Sequence, residues 1–75
     1  MLSFKVPEIQ DMVENTIQET VESTTGSQGY FFNGTFFVEL DNAVQVLDMS
    51  EALERLGFKI QLSKAGAEYA VDFVA

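Results

Sequence analysis

From residue 6 onward the apolar positions fall at three- and four-residue steps: Val6, Ile9, Val13, Ile17 and Val21. Successive members of such a series share one side of a helix, so the spacing predicts a helix over residues 7–24. Pro7 suits the first turn, where its missing N–H costs nothing, and Glu8 and Asp11 sit at the positive end of the helix dipole. At the other end Glu22 opposes the dipole, Ser23-Thr24-Thr25 forms helix weakly, and Gly26 supplies the stop.

The period then shortens to two. Asn33-Gly34 is the preferred pair for a two-residue type I′ turn, because both central positions need positive φ. That turn pairs Phe32 with Thr35, Phe31 with Phe36 and Tyr30 with Phe37. Cross-strand partners share a face, so Phe31, Phe36, Val38 and Leu40 form one side of the hairpin and Tyr30, Phe32 and Phe37 the other. Both sides are aromatic. A sheet with helices on one side should be polar on the other, so the second aromatic side needs a cover from a helix, from sheet curvature or from another molecule. Burial in the core is the preferred use of Tyr30, Phe32 and Phe37, with a subunit interface second.

Asp41-Asn42 reads as a second turn, and the β-branched alternation of Val44-Gln45-Val46 favours a third strand over residues 43–47, with Val44 and Val46 facing the core. A helix over residues 42–56 is the rival reading. On the strand reading a helix follows Asp48, which caps it with Glu51 in a capping box, Ser50 being the alternative cap. Ala52, Leu53 and Leu56 supply the apolar side of that helix, and Gly57-Phe58 ends it. Phe58, Ile60 and Leu62 alternate with Lys59 and Gln61, Ser63-Lys64-Ala65-Gly66 turns, and Tyr69, Val71 and Phe73 mark a last strand. The expectation is one α+β domain over residues 1–75, in two layers, with an antiparallel sheet of four or five strands, one long and one short helix, and the order αβββαββ. No internal repeat is visible.

Composition narrows the functional classes. Seventy-five residues without cysteine or histidine allow neither a disulfide nor a zinc site, so stability must come from packing, to which seven Phe and two Tyr contribute large apolar surfaces. Twelve acidic residues against four basic ones give a net charge of −8. Lys5, Arg55, Lys59 and Lys64 are scattered, which disfavours direct binding to nucleic acid or to an anionic membrane. No apolar run is long enough to span a bilayer and no leader peptide is indicated, so a cytoplasmic protein is expected. On the wheel of the first helix Glu8, Asp11, Glu19 and Glu22 occupy an arc of about 80° opposite the apolar stripe, spread over about 21 Å of its length.

Catalytic equipment is sparse. Without histidine or cysteine there is no His-based triad and no thiolate nucleophile. Glu39 and Asp41, two apart on an expected strand, could share a face as a weak cation site, but solvent-facing charge explains them as well. Gly26, Gly29 and Gly34 border a hairpin and lack the following lysine of a phosphate cradle, and Asn33-Gly34-Thr35 fits a glycosylation acceptor only incidentally. No catalytic residue, metal ligand or cofactor is therefore expected. The leading expectation is a non-enzymatic interaction or regulatory domain, such as a viral accessory protein, that presents an acidic surface to a basic partner protein, with nucleic-acid mimicry as its sharpest form. Glu8, Asp11, Glu19, Glu22, Tyr30, Phe32 and Phe37 are its expected contact residues. The alternative is a small assembly protein that forms a homodimer or higher homo-oligomer through the aromatic hairpin.

Overall fold

The computed structural model describes the backbone of residues 7–74 and the side chains of residues 9–74. Lys5, Val6 and the side chain of Glu8 lie outside the described residues. Six elements follow in the order α1 (Pro7–Thr25), β1 (Gly29–Phe32), β2 (Thr35–Val38), α2 (Ala43–Arg55), β3 (Lys59–Ala65) and β4 (Glu68–Val74). The fold is a small α+β domain with a four-stranded antiparallel sheet and two helices, αββαββ.

Both hairpins are local. In the first, Asn33 and Gly34 take φ values of 52° and 81°, as a type I′ turn requires, and pair Phe32 with Thr35, Phe31 with Phe36 and Tyr30 with Phe37. In the second, the strands run on to Ala65 and Glu68, so the turn is the two residues Gly66-Ala67 and not the expected Ser63-to-Gly66 run. Gly66 supplies the positive φ (63°) at its first central position. The hairpins join through β2 and β4, where Phe36 pairs with Val71, Phe37 with Ala70 and Val38 with Tyr69, giving the strand order β1-β2-β4-β3. Each half of the chain is thus one helix followed by one hairpin, and the sheet reads alike from either edge.

The core fills the space between the helices and one side of the sheet. Ile17 and Val21 of α1 and Met49 and Leu53 of α2 are fully buried with Phe36, Val38, Val71 and Phe73. Phe73 meets Phe58 edge-on, with ring centroids 5.4 Å apart, and Phe31 stacks on it at 6.1 Å. On α1 the buried stripe begins at Val13, because Ile9, expected within it, is 46% exposed.

The segment 43–47, expected as a strand, is the first part of α2. Val46, Met49 and Leu53, at steps of three and four, set the pattern that wins, and within it Val44 turns outward while Val46 packs on the core. Three residues of Val-Gln-Val alternation are too short to outweigh it. The cap moves accordingly. Asn42, not Asp48, is the N-cap: its Oδ1 accepts from the backbone N–H of Gln45 at 3.0 Å. Gln45 reciprocates one residue upstream, accepting from Asp41 N–H at 2.7 Å, while its amide donates to the carbonyl of Thr25 at 3.1 Å. One side chain therefore ties the start of α2 to the end of α1.

The other helix ends are closed by glycine. Gly26 (φ 78°) donates to Glu22 O in a single αL cap. Beyond α2, Gly57 (φ 96°) donates to Glu54 O and Phe58 N–H to Leu53 O, the paired bonds of a Schellman motif that the Gly57-Phe58 sequence had signalled.

Replacing Gln45 by alanine removes both of its side-chain bonds and is expected to lower unfolding stability by about 1–2 kcal/mol in urea titrations. Asp48→Ala should shift stability by no more than about 0.5 kcal/mol, since Asp48 is exposed within α2. A loss of about 1 kcal/mol from Asp48→Ala would instead mark it as the cap.

Candidate functional site

The sheet has a side that neither helix covers. Its cross-strand rows are Tyr30-Phe37-Ala70-Ser63 and Phe32-Thr35-Asp72-Gln61, since side chains of paired residues lie on one face. Phe32, beside the hairpin turn, is 62% exposed and Tyr30 is 48% exposed. Phe37 is half-buried and stacks on Tyr30 with ring centroids 5.5 Å apart and planes 23° from parallel. Ala70 beside it is buried. The expectation that this aromatic set belongs to the core is met by Phe37 in part and not by Tyr30 or Phe32. Two helices suffice for one side of a four-stranded sheet, and both lie on the other side.

Two acids of β4 border the rings. Tyr30 donates its phenol to Glu68 Oε1 at 2.9 Å, and Thr35 donates its hydroxyl to Asp72 Oδ1 at 2.6 Å. The carboxylate of Glu68 holds the Tyr30 phenol above its ordinary pKa, chiefly because the hydrogen bond requires the proton, with desolvation and the negative charge of Glu68 adding to the effect.

Asp11, Glu19 and Glu22 are exposed along α1. Ile17 and Val21 are buried against the sheet; Glu19 lies opposite them on the wheel, whereas Asp11 and Glu22 lie on its flank, and Glu22 lines a shallow pocket with Gln18, Gln28 and Gly29 of β1. The seven residues expected to form one contact surface therefore split. Tyr30, Phe32 and Phe37 lie together on the open side of the sheet; Asp11, Glu19 and Glu22 lie in the helical layer, with Glu22 beside Gly29 at the start of β1. Glu8 belongs to the same helix, but its side chain is outside the described residues. No lysine or arginine occurs within α1, and the ion pair found among the described residues joins Arg55 to Glu51 within α2, at 3.8 Å.

Other apolar groups reach solvent. Val44 is 66% and Leu47 58% exposed on the outer side of α2. These were missed because the strand reading pointed Val44 inward; a helix pinned by Val46, Met49 and Leu53 puts both outside. A shallow groove of about 230 Å³ runs between the helices, lined by Met12, Val13, Thr16, Leu56 and Phe58. Leu56, expected on the buried side of its helix, follows the last helical residue and is half open to this groove.

Glu39 and Asp41 do not share a strand face, because β2 ends at Val38 and both residues lie exposed in the connection to α2. Among the described residues no group of three or more acidic side chains is placed to hold a metal ion, and no helix is long and apolar enough to cross a membrane. Comparison with protein-family models, with curated proteins and with solved structures finds no match to the chain.

The Tyr30–Glu68 bond has a pH signature. The folded state holds the phenolic proton more tightly than the unfolded one, so the bond's contribution is complete below the unfolded-state pKa and is lost as pH rises from there through the folded value. Glu68→Gln should bring the Tyr30 midpoint down toward that of an ordinary phenol in an alkaline absorbance titration, with Tyr69→Phe as background to isolate the signal. An unchanged midpoint would show that the bond does not persist in solution.

Proposed function

We propose that this domain is a non-enzymatic interaction module that binds a basic partner protein on the open aromatic side of its sheet. The observation that carries the reading is the exposure of Phe32 and Tyr30 on a sheet face without helices, where polar residues are the rule. Aromatic anchors of this kind provide most of the affinity of typical interfaces. Arginine or lysine side chains of the partner would lie over the Tyr30 and Phe32 rings, close to the carboxylates of Glu68 and Asp72.

In this reading the acidic helix steers and the sheet binds. Asp11 and Glu19 belong to the helical layer and Glu22 borders Gly29 at the edge of β1, while the net charge of −8 attracts a basic protein over roughly a Debye length of about 10 Å at moderate salt. Nucleic-acid mimicry makes a different demand: α1 itself would have to be the contact surface.

The test retains partner from extracts of the source cells on the immobilised domain and measures affinity with the purified partner. Phe32→Ser should weaken binding by about 30-fold, equivalent to about 2 kcal/mol, without lowering the thermal midpoint. Asp11→Asn with Glu19→Gln should slow association and leave dissociation unchanged, since charges outside the contact act on the encounter. Faster dissociation in the α1 variant would favour mimicry. Affinity that is the same at about 50 and 500 mM salt and indifferent to Phe32→Ser would overturn the proposal.

A further inference from the structure

We infer that β1 is a self-pairing edge, and that two copies of the chain join along it in antiparallel register with Tyr30 opposite the Tyr30 of the second copy. The order β1-β2-β4-β3 leaves β1 and β3 as the two edges. They are protected very differently. β3 carries Lys59 and Lys64, two of the four basic residues of the chain, and edge lysines discourage strand addition. β1 is Gly29-Tyr30-Phe31-Phe32, with no charge, no proline and no bulge.

The backbone of β1 specifies the register. Phe32 and Thr35 close a two-residue turn and so form a hydrogen-bonded pair, which makes Tyr30–Phe37 the next bonded pair. Phe31 and Gly29 alternate with them, and their N–H and C=O groups point away from β2. Among the described residues no loop or side chain bonds to these four groups. They are spaced symmetrically about Tyr30. An antiparallel copy that puts Gly29 against Phe31 of its mate, and Phe31 against Gly29, satisfies all four at once. Pairing centred on Phe31 satisfies only two within the strand.

The side chains agree with this register. Tyr30 of each copy would meet across the two-fold axis in a non-bonded pair, where side chains approach most closely. The Tyr30–Phe37 stack would then become a row of four rings across one open face. On the other side Phe31 would face Gly29 of its mate, where the Phe36 ring of that mate fills the place of a side chain, so Phe31 would pack on that ring. β1 itself carries no charge, although Glu22 of α1 borders Gly29, and the symmetric set of four backbone groups favours a second copy here. The pairing does not depend on the basic-partner proposal, and the two respond to salt in opposite directions. Two chains of net charge −8 repel, so added salt should tighten the dimer, whereas it should weaken a complex with a basic protein.

Sedimentation of the full chain from low micromolar to about 1 mM, at low and high salt, should show 8.3 kDa monomer converting to a species of twice that mass, more readily at high salt. The register is tested by single cysteines, the chain having none of its own. Tyr30→Cys places two thiols at a separation of about 4.5 Å between Cα atoms, within disulfide range, and should cross-link under mild oxidation about tenfold or more faster than the exposed control Phe32→Cys. Tyr30→Lys, which sets like charges across the axis, should leave the monomer folded and abolish the dimer. A wild-type chain that stays monomeric at every concentration and salt would overturn the inference, as would equal cross-linking by the two cysteine variants.

Discussion

The number of layers that a short chain can build governs the rest of this molecule. Two helices and four strands make one interface between helices and sheet, and Ile17, Val21, Met49 and Leu53 meet Phe36, Val38, Val71 and Phe73 there with none of these residues more than 2% exposed. Once that interface is filled, no described element is left to cover the opposite side of the sheet. A polar outer side would have made this unremarkable. Here the residues that alternate with the core positions of β1 and β2 include Tyr30, Phe32 and Phe37, so the same pleat that buries one set of rings presents another to solvent.

Charge is arranged with similar one-sidedness. α1 has carboxylates at Glu8, Asp11, Glu14, Glu19 and Glu22 and no cation, and Glu22 lies near the negative end of its dipole. Gln10 bonds to Glu14 and Gln28 to Glu22, which satisfies oxygens without neutralising them. The helix is held by its buried stripe, its αL cap and the contact from Gln45, not by its own electrostatics.

Much of the architecture was legible because local chemistry left few options. Asn33-Gly34 set turn, register and faces together, and Gly57-Phe58 marked the end of α2. The order of elements was less so. Val44-Gln45-Val46 satisfies a two-residue period over too short a distance to exclude a helix, and the deciding evidence lies in Met49 and Leu53, beyond the window where alternation is read. Asn42 and Gln45 formed a capping signal that Asp48 and Glu51 imitated. Of the residues expected to make contact, the sequence distinguished the two sides of the hairpin, but sides alone do not say which one the helices take. Nor does a helical wheel reveal that the carboxylates of α1 lie in the helical layer while the rings of Tyr30 and Phe32 face the other side of the sheet, because that depends on the helix packing over the core side of the sheet.

The central pairing of β2 with β4 joins two helix-hairpin halves through three residue pairs: Phe36 with Val71, Phe37 with Ala70 and Val38 with Tyr69. These residues stand more than thirty positions apart in the chain, so closing the seam carries most of the loop entropy of folding. Each half resembles a subunit, and the chain resembles two subunits joined covalently by the connection from Glu39 to Asn42. Such a tether holds the halves at a high effective concentration, so the three pairs of the seam close as an intramolecular step.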